Sequence, residues 1–578
     1  MTFNLITDRW LLGRRASGTR VWFAPFELGS DFAYDPILSL EFPRPDWNAA
    51  VAEMLIGLLS AAIPPESTDA WAAHWLAPPH PNALAAALRP LEPWFRLDGE
   101  GIRAFQDPTD LADVQKKDIM GVEALLLDEP PDGNRDLFTK RGTLSALGAP
   151  FAAAALITLQ TYAPGGGRGH MANPRKKGPL SLLAATHRLD QGRPITTLWD
   201  LLWPNVMERS TAWIGHRDLP SVLAEVGGKA FPWGESPRSS EKIQIQHTDL
   251  PGFSRYFTQP RRIRLLWSDG RVTCSFGPNE GPVCTGFRRK AYGHQYAAWR
   301  HPLATYADIA DNKTNEIGKR AVNVPQTQNY EHWLDAWGYR GKQERPQALG
   351  LWRERLAALD DARAPIDPQV ARQQAIVAWG PRAHPKLEMK VLAWVEERIP
   401  LYDEPGAEAG DFRAVINRLV AGTTAAADKL VYTVRFAKHA KRNREGGLEL
   451  RKDDLSKLRK SNAHVDCGSE LWRRTEGAFR EAIEALRMLP ADPQNEIRIR
   501  FATALRRHAK EIFDDACNLD MLADQDVQRI MIARKNLWAG LSDYGDLGTA
   551  LNIVPPKDPE ATPKPKRRNA KATEEATT

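Results

Sequence analysis

Gly165, Gly166, Gly167 and Gly169 put four glycines into five positions, with Arg168 between them and Arg175-Lys176-Lys177 shortly after. A stretch without Cβ atoms reaches positive φ without strain and lets backbone amides approach a ligand at contact distance. The interleaved cations add positive charge beside those amides, which is the chemistry of phosphate or groove recognition. The same composition also describes a flexible surface loop. It is no nucleotide-binding loop, because no G-x-x-x-x-G-K-[ST] string occurs. The nearest approach ends Gly318-Lys319-Arg320, with Lys313 in place of the first glycine and Arg320 in place of the magnesium-binding hydroxyl.

A second segment reads Arg288-Arg289-Lys290-Ala291-Tyr292-Gly293-His294-Gln295-Tyr296. Three cations followed by aromatics can supply phosphate contacts, a base-edge donor and packing partners, or form a solvated basic turn beside a structural cluster. A third, Trp379-Gly380-Pro381-Arg382-Ala383-His384-Pro385-Lys386-Leu387-Glu388-Met389-Lys390, leads into Val391-Leu392-Ala393-Trp394-Val395. It reads as a proline-broken loop opening a short amphipathic helix, an interdomain hinge.

Catalytic chemistry lacks its usual residues. The 13 histidines include no H-E-x-x-H and no H-x-E with a downstream C-x-x-C, so zincin and zinc deaminase readings lose their support. His294 and His301 fit packing or hydrogen bonding better than metal ligation. The four cysteines, Cys274, Cys284, Cys467 and Cys517, form no C-x-x-C pair; Cys274 and Cys284 flank a strand-turn-strand and offer half the ligands of a zinc ribbon. We expect reduced thiols, no metal and no cofactor. With 78 basic against 72 acidic residues the net charge is +6, so any nucleic-acid contact must be local.

The elements that must position these residues fall into two textures, and 578 residues exceed one core. Near the N-terminus, alternation through Phe3-Leu5 and Val21-Phe23 around Arg14, Arg15, Ser17 and Gly18 predicts a β-hairpin. A helix capped by Asp46, with Val51, Leu55, Leu58 and Leu59 on one face, runs to the Pro64-Pro65 stop. From about residue 407 long amphipathic stretches take over, at 411–441, 469–488, 493–519 and 526–544. Trp472, Phe479, Ile483 and Leu486 share one stripe and Ile499, Phe501, Leu505 and Ile512 another, which predicts a four-helix bundle. The last stretch, 555–578, carries Lys564-Pro565-Lys566-Arg567-Arg568 and no apolar period, and reads as a disordered tail. No signal peptide or membrane span is visible, so we expect a soluble, cytoplasmic protein.

Taken in order, these segments resemble the CasA family, the large subunit of the type I-E CRISPR surveillance complex, Cascade. The resemblance rests on Phe3-Asn4-Leu5-Ile6-Thr7-Asp8-Arg9-Trp10, Ser39-Leu40-Glu41-Phe42-Pro43-Arg44-Pro45-Asp46-Trp47, Phe105-Gln106-Asp107 and Asn134-Arg135-Asp136-Leu137-Phe138. It continues through the glycine segment, residues 286–296, Met389-Lys390 with Trp394, and Leu471-Trp472-Arg473-Arg474-Thr475-Glu476.

The resemblance implies an α+β protein: a mixed α/β domain over 1–385, a wedge segment and four-helix bundle over 386–552, and a tail over 553–578. It implies no enzymatic activity. The expected partners are guide RNA, double-stranded target DNA, other Cascade subunits and a recruited helicase-nuclease. It implies recognition of the protospacer-adjacent motif from the minor groove by Gly165, Gly166, Gly167 and Gly169 with a basic finger at Arg289 or Lys290. Glu388, Met389 and Lys390 match the strand-separating wedge, although Leu387-Glu388 departs from the family's Asp-Asn. Phe105 with the loop at 107–121, holding Lys116 and Lys117, matches a segment directed at guide RNA and incoming DNA. The competing reading is a stand-alone nuclease or nucleotide hydrolase whose glycine loop holds phosphate.

Overall fold

Leu11-Leu12-Gly13 and Val21-Trp22-Phe23 flank a turn at which Gly18 takes φ +85°, and they pair as β1 (Leu11–Arg15) and β2 (Arg20–Phe23). The computed structural model describes residues 3–128, 144–165, 169–175, 178–190, 193–237, 244–268, 272–274, 277–279, 282–310, 317–325, 329–336, 343–361, 375–383, 391–400, 409–444, 446–450, 465–517 and 526–553. The chain divides into one unit of residues 1–328 and 332–402 and another of 329–331 and 403–578.

In the first unit β3 (Ile37–Leu40) joins β1 on its other edge. The hairpin is thus present, but its first strand is not at Phe3-Leu5. The Leu5 amide donates to the Phe95 carbonyl and Asn4 bridges Arg96, which commits those residues elsewhere. The helix α1 (Pro45–Ala62) begins at Arg44, and Asp46 does not cap it. The Asp46 carboxylate instead takes the Arg44 guanidinium through two 3.0 Å hydrogen bonds.

Helix α1 is buried on nearly every side, as is α2 (Ala149–Tyr162), which packs against it. The small side chains of Ala152-Ala153-Ala154-Ala155, all fully buried, let other elements approach α2 closely. Around this pair lie two antiparallel sheets. In one, β8 (Val283–Lys290) pairs with β7 (Arg262–Ser268), with β4 (Ile119–Gly121) and with β5 (Leu147–Gly148). In the other, β9 (Ala375–Ala383) lies between β6 (Ser181–Ala185) and β10 (Val391–Pro400).

The helix expected after residue 390 is therefore a strand. The register runs from Ala375 opposite Pro400 to Ala383 opposite Val391. The apolar spacing of Val391, Leu392 and Val395 fits a helix as well as a strand, but pairing with β9 satisfies the backbone in extended form. A boundary at 385–386 would cut this hairpin, and the compact units divide after Tyr402 instead.

The second unit is helical: α3 (Ala409–His439), α4 (Val465–Met488), α5 (Glu496–Ala516), α6 (Val527–Leu541) and the short α7 (Asp546–Leu551). Helix α3 packs on α4, α5, α6 and α7, and α4 packs on α5. Trp472, Phe479, Ile483 and Leu486 of α4 are buried as expected, and Leu471 beside them is buried too. On α5 the buried stripe is Phe501, Ala502, Leu505, Ala509, Ile512 and Phe513, whereas Ile499 is 47% exposed. Helix geometry explains the difference, because Ile499 stands two positions, about 200° of rotation, from Phe501 and so falls off the stripe. Buried Asp492 accepts the amides of Ile497 and Arg498 at 3.1 Å each and the Arg498 Nε at 2.9 Å, which fixes the helix phase. No helix among the described residues is long and apolar enough to cross a membrane.

Candidate nucleic-acid interface

Strand β8 organises the site. Its half-buried end carries Arg288, Arg289 and Lys290, and its Gly286 lets the backbone of β4 approach, with Gly286 opposite Gly121 and Arg288 opposite Ile119. Lys116 and Lys117 form a one-turn 3-10 helix just before β4 and are both exposed. The loop at 107–121 is thereby stitched to the basic strand.

The glycine segment reaches the same strand end from the other side. Gly169 takes φ +81°, and its carbonyl accepts the Tyr292 amide at 2.7 Å. A Cβ on Gly169 would stand 2.7 Å from the Ala291 Cβ, so only glycine lets the two segments touch. Around Gly165 nothing lies within 4 Å of a Cβ position. Gly166, Gly167, Arg168, Lys176 and Lys177 lie outside the described residues, as do Glu388, Met389 and Lys390 between β9 and β10, the stretch 134–138, and the tail.

Alternation along β8 separates its cations by face. Lys290 donates to Asp113 at 2.6 Å and Arg288 donates to the Asp110 carbonyl at 3.0 Å. On the paired strand Arg262 meets Asp107 at 2.6 Å and Arg264 meets Asp110 at 3.1 Å. The loop carrying Asp107, Asp110 and Asp113 thus neutralises one face. On the opposite face Arg289 has Asp118 at 3.6 Å and a side chain 35% exposed, and its Nε has no hydrogen-bond partner among the described residues.

Arg289 also has like-charged company. The Arg261 guanidinium donates to the Pro164 carbonyl at the start of the glycine segment, and burial together with the Arg289 charge pushes it down to about 10. His170 is lowered by burial and by the charges of Arg289 and Arg261, so its ring stays neutral. A cationic patch that repels itself in the free protein gains most from an arriving anion.

Two expectations are corrected. Phe105 does not face a ligand: it is 2% exposed, its ring centroid lies 4.4 Å from that of Trp233, and its carbonyl accepts the Gln160 side chain at 2.9 Å. It anchors the base of the loop that follows. Arg175 adds no charge to the surface, because it is 3% exposed and ion-paired with Glu53 at 3.1 Å. Sequence reasoning missed Glu53 altogether. Its one signal was a carboxylate on the apolar face of α1.

The two histidines are packing groups, His294 against the Pro232 carbonyl at 2.9 Å and His301 in the core. The Cys284 thiol is buried and pushed up to about 11, which leaves it inert.

The fold defines a class. A mixed α/β unit with small antiparallel sheets, followed by a helical unit, is shared with Cse1 from Acidimicrobium ferrooxidans, at TM-score 0.65 and 14% identity over 96% of this chain and 99% of that one. CasA of Thermus thermophilus gives TM-score 0.61 and 17% identity over 96% and 100%. A chain of a solved CRISPR RNA-guided surveillance complex gives 0.61 and 14% over 93% and 99%. No curated protein matches this sequence. The model of the family described as CRISPR-associated protein Cse1 matches residues 4–512, and the chain belongs to that family.

Proposed function

We propose that this chain is the non-catalytic large subunit of a Cascade-type CRISPR complex, acting in the cytoplasm to read the protospacer-adjacent motif in duplex DNA. In this reading it promotes strand opening for guide RNA pairing and offers a docking surface to a helicase-nuclease. Family membership and the likeness to a chain of an RNA-guided surveillance complex support the subunit assignment. The observation that carries the DNA role is the hydrogen bond from Tyr292 to Gly169, which joins the glycine segment to the basic end of β8.

The chemistry suits a minor groove. That groove offers a degenerate set of acceptors, so a reader gains from close backbone approach and one well-aimed cation. Gly165 and Gly169 supply the approach. Arg289 is the cation, because Lys290 is already held by Asp113 and Arg289 stands on the face of Arg261 and His170. Guide pairing carries the remaining specificity. Lys116 and Lys117, exposed beside β4, bind phosphates of guide RNA or incoming DNA. Glu388, Met389 and Lys390, between β9 and β10, act as the wedge: Met389 fills an opened base step and Lys390 holds a displaced phosphate.

The test compares assembled complexes carrying Arg289→Ala or Lys290→Ala on duplexes with and without the motif. Arg289→Ala is expected to weaken motif-bearing duplex by about tenfold or more, as loss of one good base contact does. Lys290→Ala is expected to change both duplexes alike and by less. Equal losses for both variants on both duplexes would refute the assignment of Arg289.

A further inference from the structure

Glu53, in the middle of α1, collects hydrogen bonds from segments far apart in sequence. Its Oε1 accepts from the Tyr162 hydroxyl at 2.5 Å, from the Ser181 hydroxyl and from Trp379 Nε1 at 3.1 Å, and its Oε2 accepts from Arg175 Nη2 at 3.1 Å. His301 Nε2 lies 3.6 Å from the same oxygen. Every one of these side chains is buried.

Two of the donors bracket the glycine segment. Tyr162 ends α2 immediately before it and Arg175 follows it, with the guanidinium 5.3 Å above the Tyr162 ring. The bracket is closed by Asn173, whose Oδ1 accepts the Arg175 amide at 3.0 Å and whose amide and Nδ2 donate to the Ala163 carbonyl at 3.0 and 3.1 Å. Arg175 Nη1 also donates to Ser181 Oγ at 2.6 Å.

The other donors belong to the sheet of β6, β9 and β10. Trp379 stands on β9, and Trp394 of β10 sets its ring 5.2 Å from that of Tyr162. Downstream of Arg175, Gly178 takes φ +62°, and a Cβ there would lie 2.5 Å from the Pro381 carbonyl oxygen. Gly380 has equally little room against the Pro179 carbonyl. The exit of the glycine segment therefore runs in backbone contact with the end of β9.

A buried carboxylate is a demanding way to join these parts. Each of its lone pairs must be met at a set distance and angle, and an unmet one costs as much as a lost hydrogen bond. An apolar contact would hold the same parts together with looser geometry. The arrangement specifies a register.

We infer that Glu53 is a positioning residue that holds the glycine segment and the β9–β10 hairpin in one fixed register, so that motif reading by the first and strand opening by the second depend on each other. The inference rests on the function proposed above and names the internal group that links its two halves.

The test uses the assembled complex and two conservative variants that each remove one donor, Tyr162→Phe on the glycine side and Trp379→Phe on the hairpin side. One measurement is the affinity ratio between motif-bearing and motif-free duplex. The other is the opening rate, read from a fluorescent base analogue at the first protospacer position on fully paired and pre-opened targets. Each variant is expected to lower both readouts by about tenfold, the effect of one hydrogen bond to a charged group, while sparing pre-opened targets. Glu53→Gln, which removes the charge and replaces one acceptor oxygen with an NH2 donor, should reproduce both losses.

A split result, with Tyr162→Phe touching only discrimination and Trp379→Phe only opening, overturns the coupling. A lowered melting temperature with both readouts unchanged makes Glu53 structural and also overturns it. A wild-type complex without motif discrimination sinks the parent reading, and it does so before any variant is compared.

Discussion

Gly169 and Tyr292, more than a hundred residues apart, are joined by a 2.7 Å hydrogen bond, and both sit at positive φ, +81° and +63°. A non-glycine residue at such an angle costs of order 1 kcal/mol, and Tyr292 carries that cost as a residue 46% exposed. Backbone strain at a surface contact is affordable only where the surrounding structure holds it.

Gly169→Ala is the direct probe of this contact. The new methyl meets the Ala291 Cβ and forces an unfavourable φ, so the glycine segment must move from the basic strand. Motif-dependent binding by the assembled complex is expected to fall at least tenfold while the melting temperature changes by no more than a few degrees. Adding Ala291→Gly should recover part of the loss, because it removes the clash and leaves the φ strain. Unchanged binding in Gly169→Ala would mean that the contact does not present the segment to DNA.

Asp113→Asn releases Lys290 from its 2.6 Å partner. Both groups are well exposed, so folding stability should not change measurably. A freed ammonium adds about one phosphate contact, and the slope of log affinity against log salt for motif-free duplex should steepen by about one unit. An unaltered slope would remove Lys290 from the DNA-facing surface.

Acid should destabilise the chain through His301. Burial first, then the charges of Arg175 and Arg255, hold its folded pKa well below the usual histidine range. The unfolded chain therefore takes up the proton first on acidification. This contribution is complete above the unfolded value of about 6.5 and is lost as pH falls below it, by at most about 1.4 kcal/mol per pH unit. His74, His170, His187 and His247 are lowered too and act with the same sign. The melting temperature should drop between pH 7 and pH 5, and His301→Asn should flatten that drop.

In the helical unit Tyr330 is the sharpest stability probe. Its ring stacks on Phe479 at 4.1 Å and meets Trp472 at 4.6 Å, and its hydroxyl donates to Thr423 at 2.7 Å. Tyr330→Phe should cost about 1 kcal/mol, since Thr423 keeps its bond to the Leu419 carbonyl. Tyr330→Ala should cost about 3–5 kcal/mol by opening a cavity. Hydrogen exchange of the α4 amides in the full chain would report both, and similar protection in the two variants would contradict the packing argument.

The helices of the second unit were legible because their signal is local. Trp472, Phe479, Ile483 and Leu486 repeat along one face over a run with no proline and a single glycine, Gly477, so the chain's own period names the buried side. The glycine segment and Arg288-Arg289-Lys290 were legible as chemistry for the same reason. Their meeting was not, since it depends on one turn in which Gly169 and Tyr292 both adopt positive φ.

Arg175 and Arg289 carry the same side chain beside similar neighbours in sequence, yet one lies inside and the other at the surface. Glu53 decides the first and the alternation of β8 the second. Residues 391–400 likewise carry a pattern that either period accommodates, and the ladder to β9 selected the strand. Sequence determined what each segment could bury or bind. Tertiary structure decided which partner it met, because the burial of a charge and the pairing of a strand are properties of two distant segments and are written in neither alone.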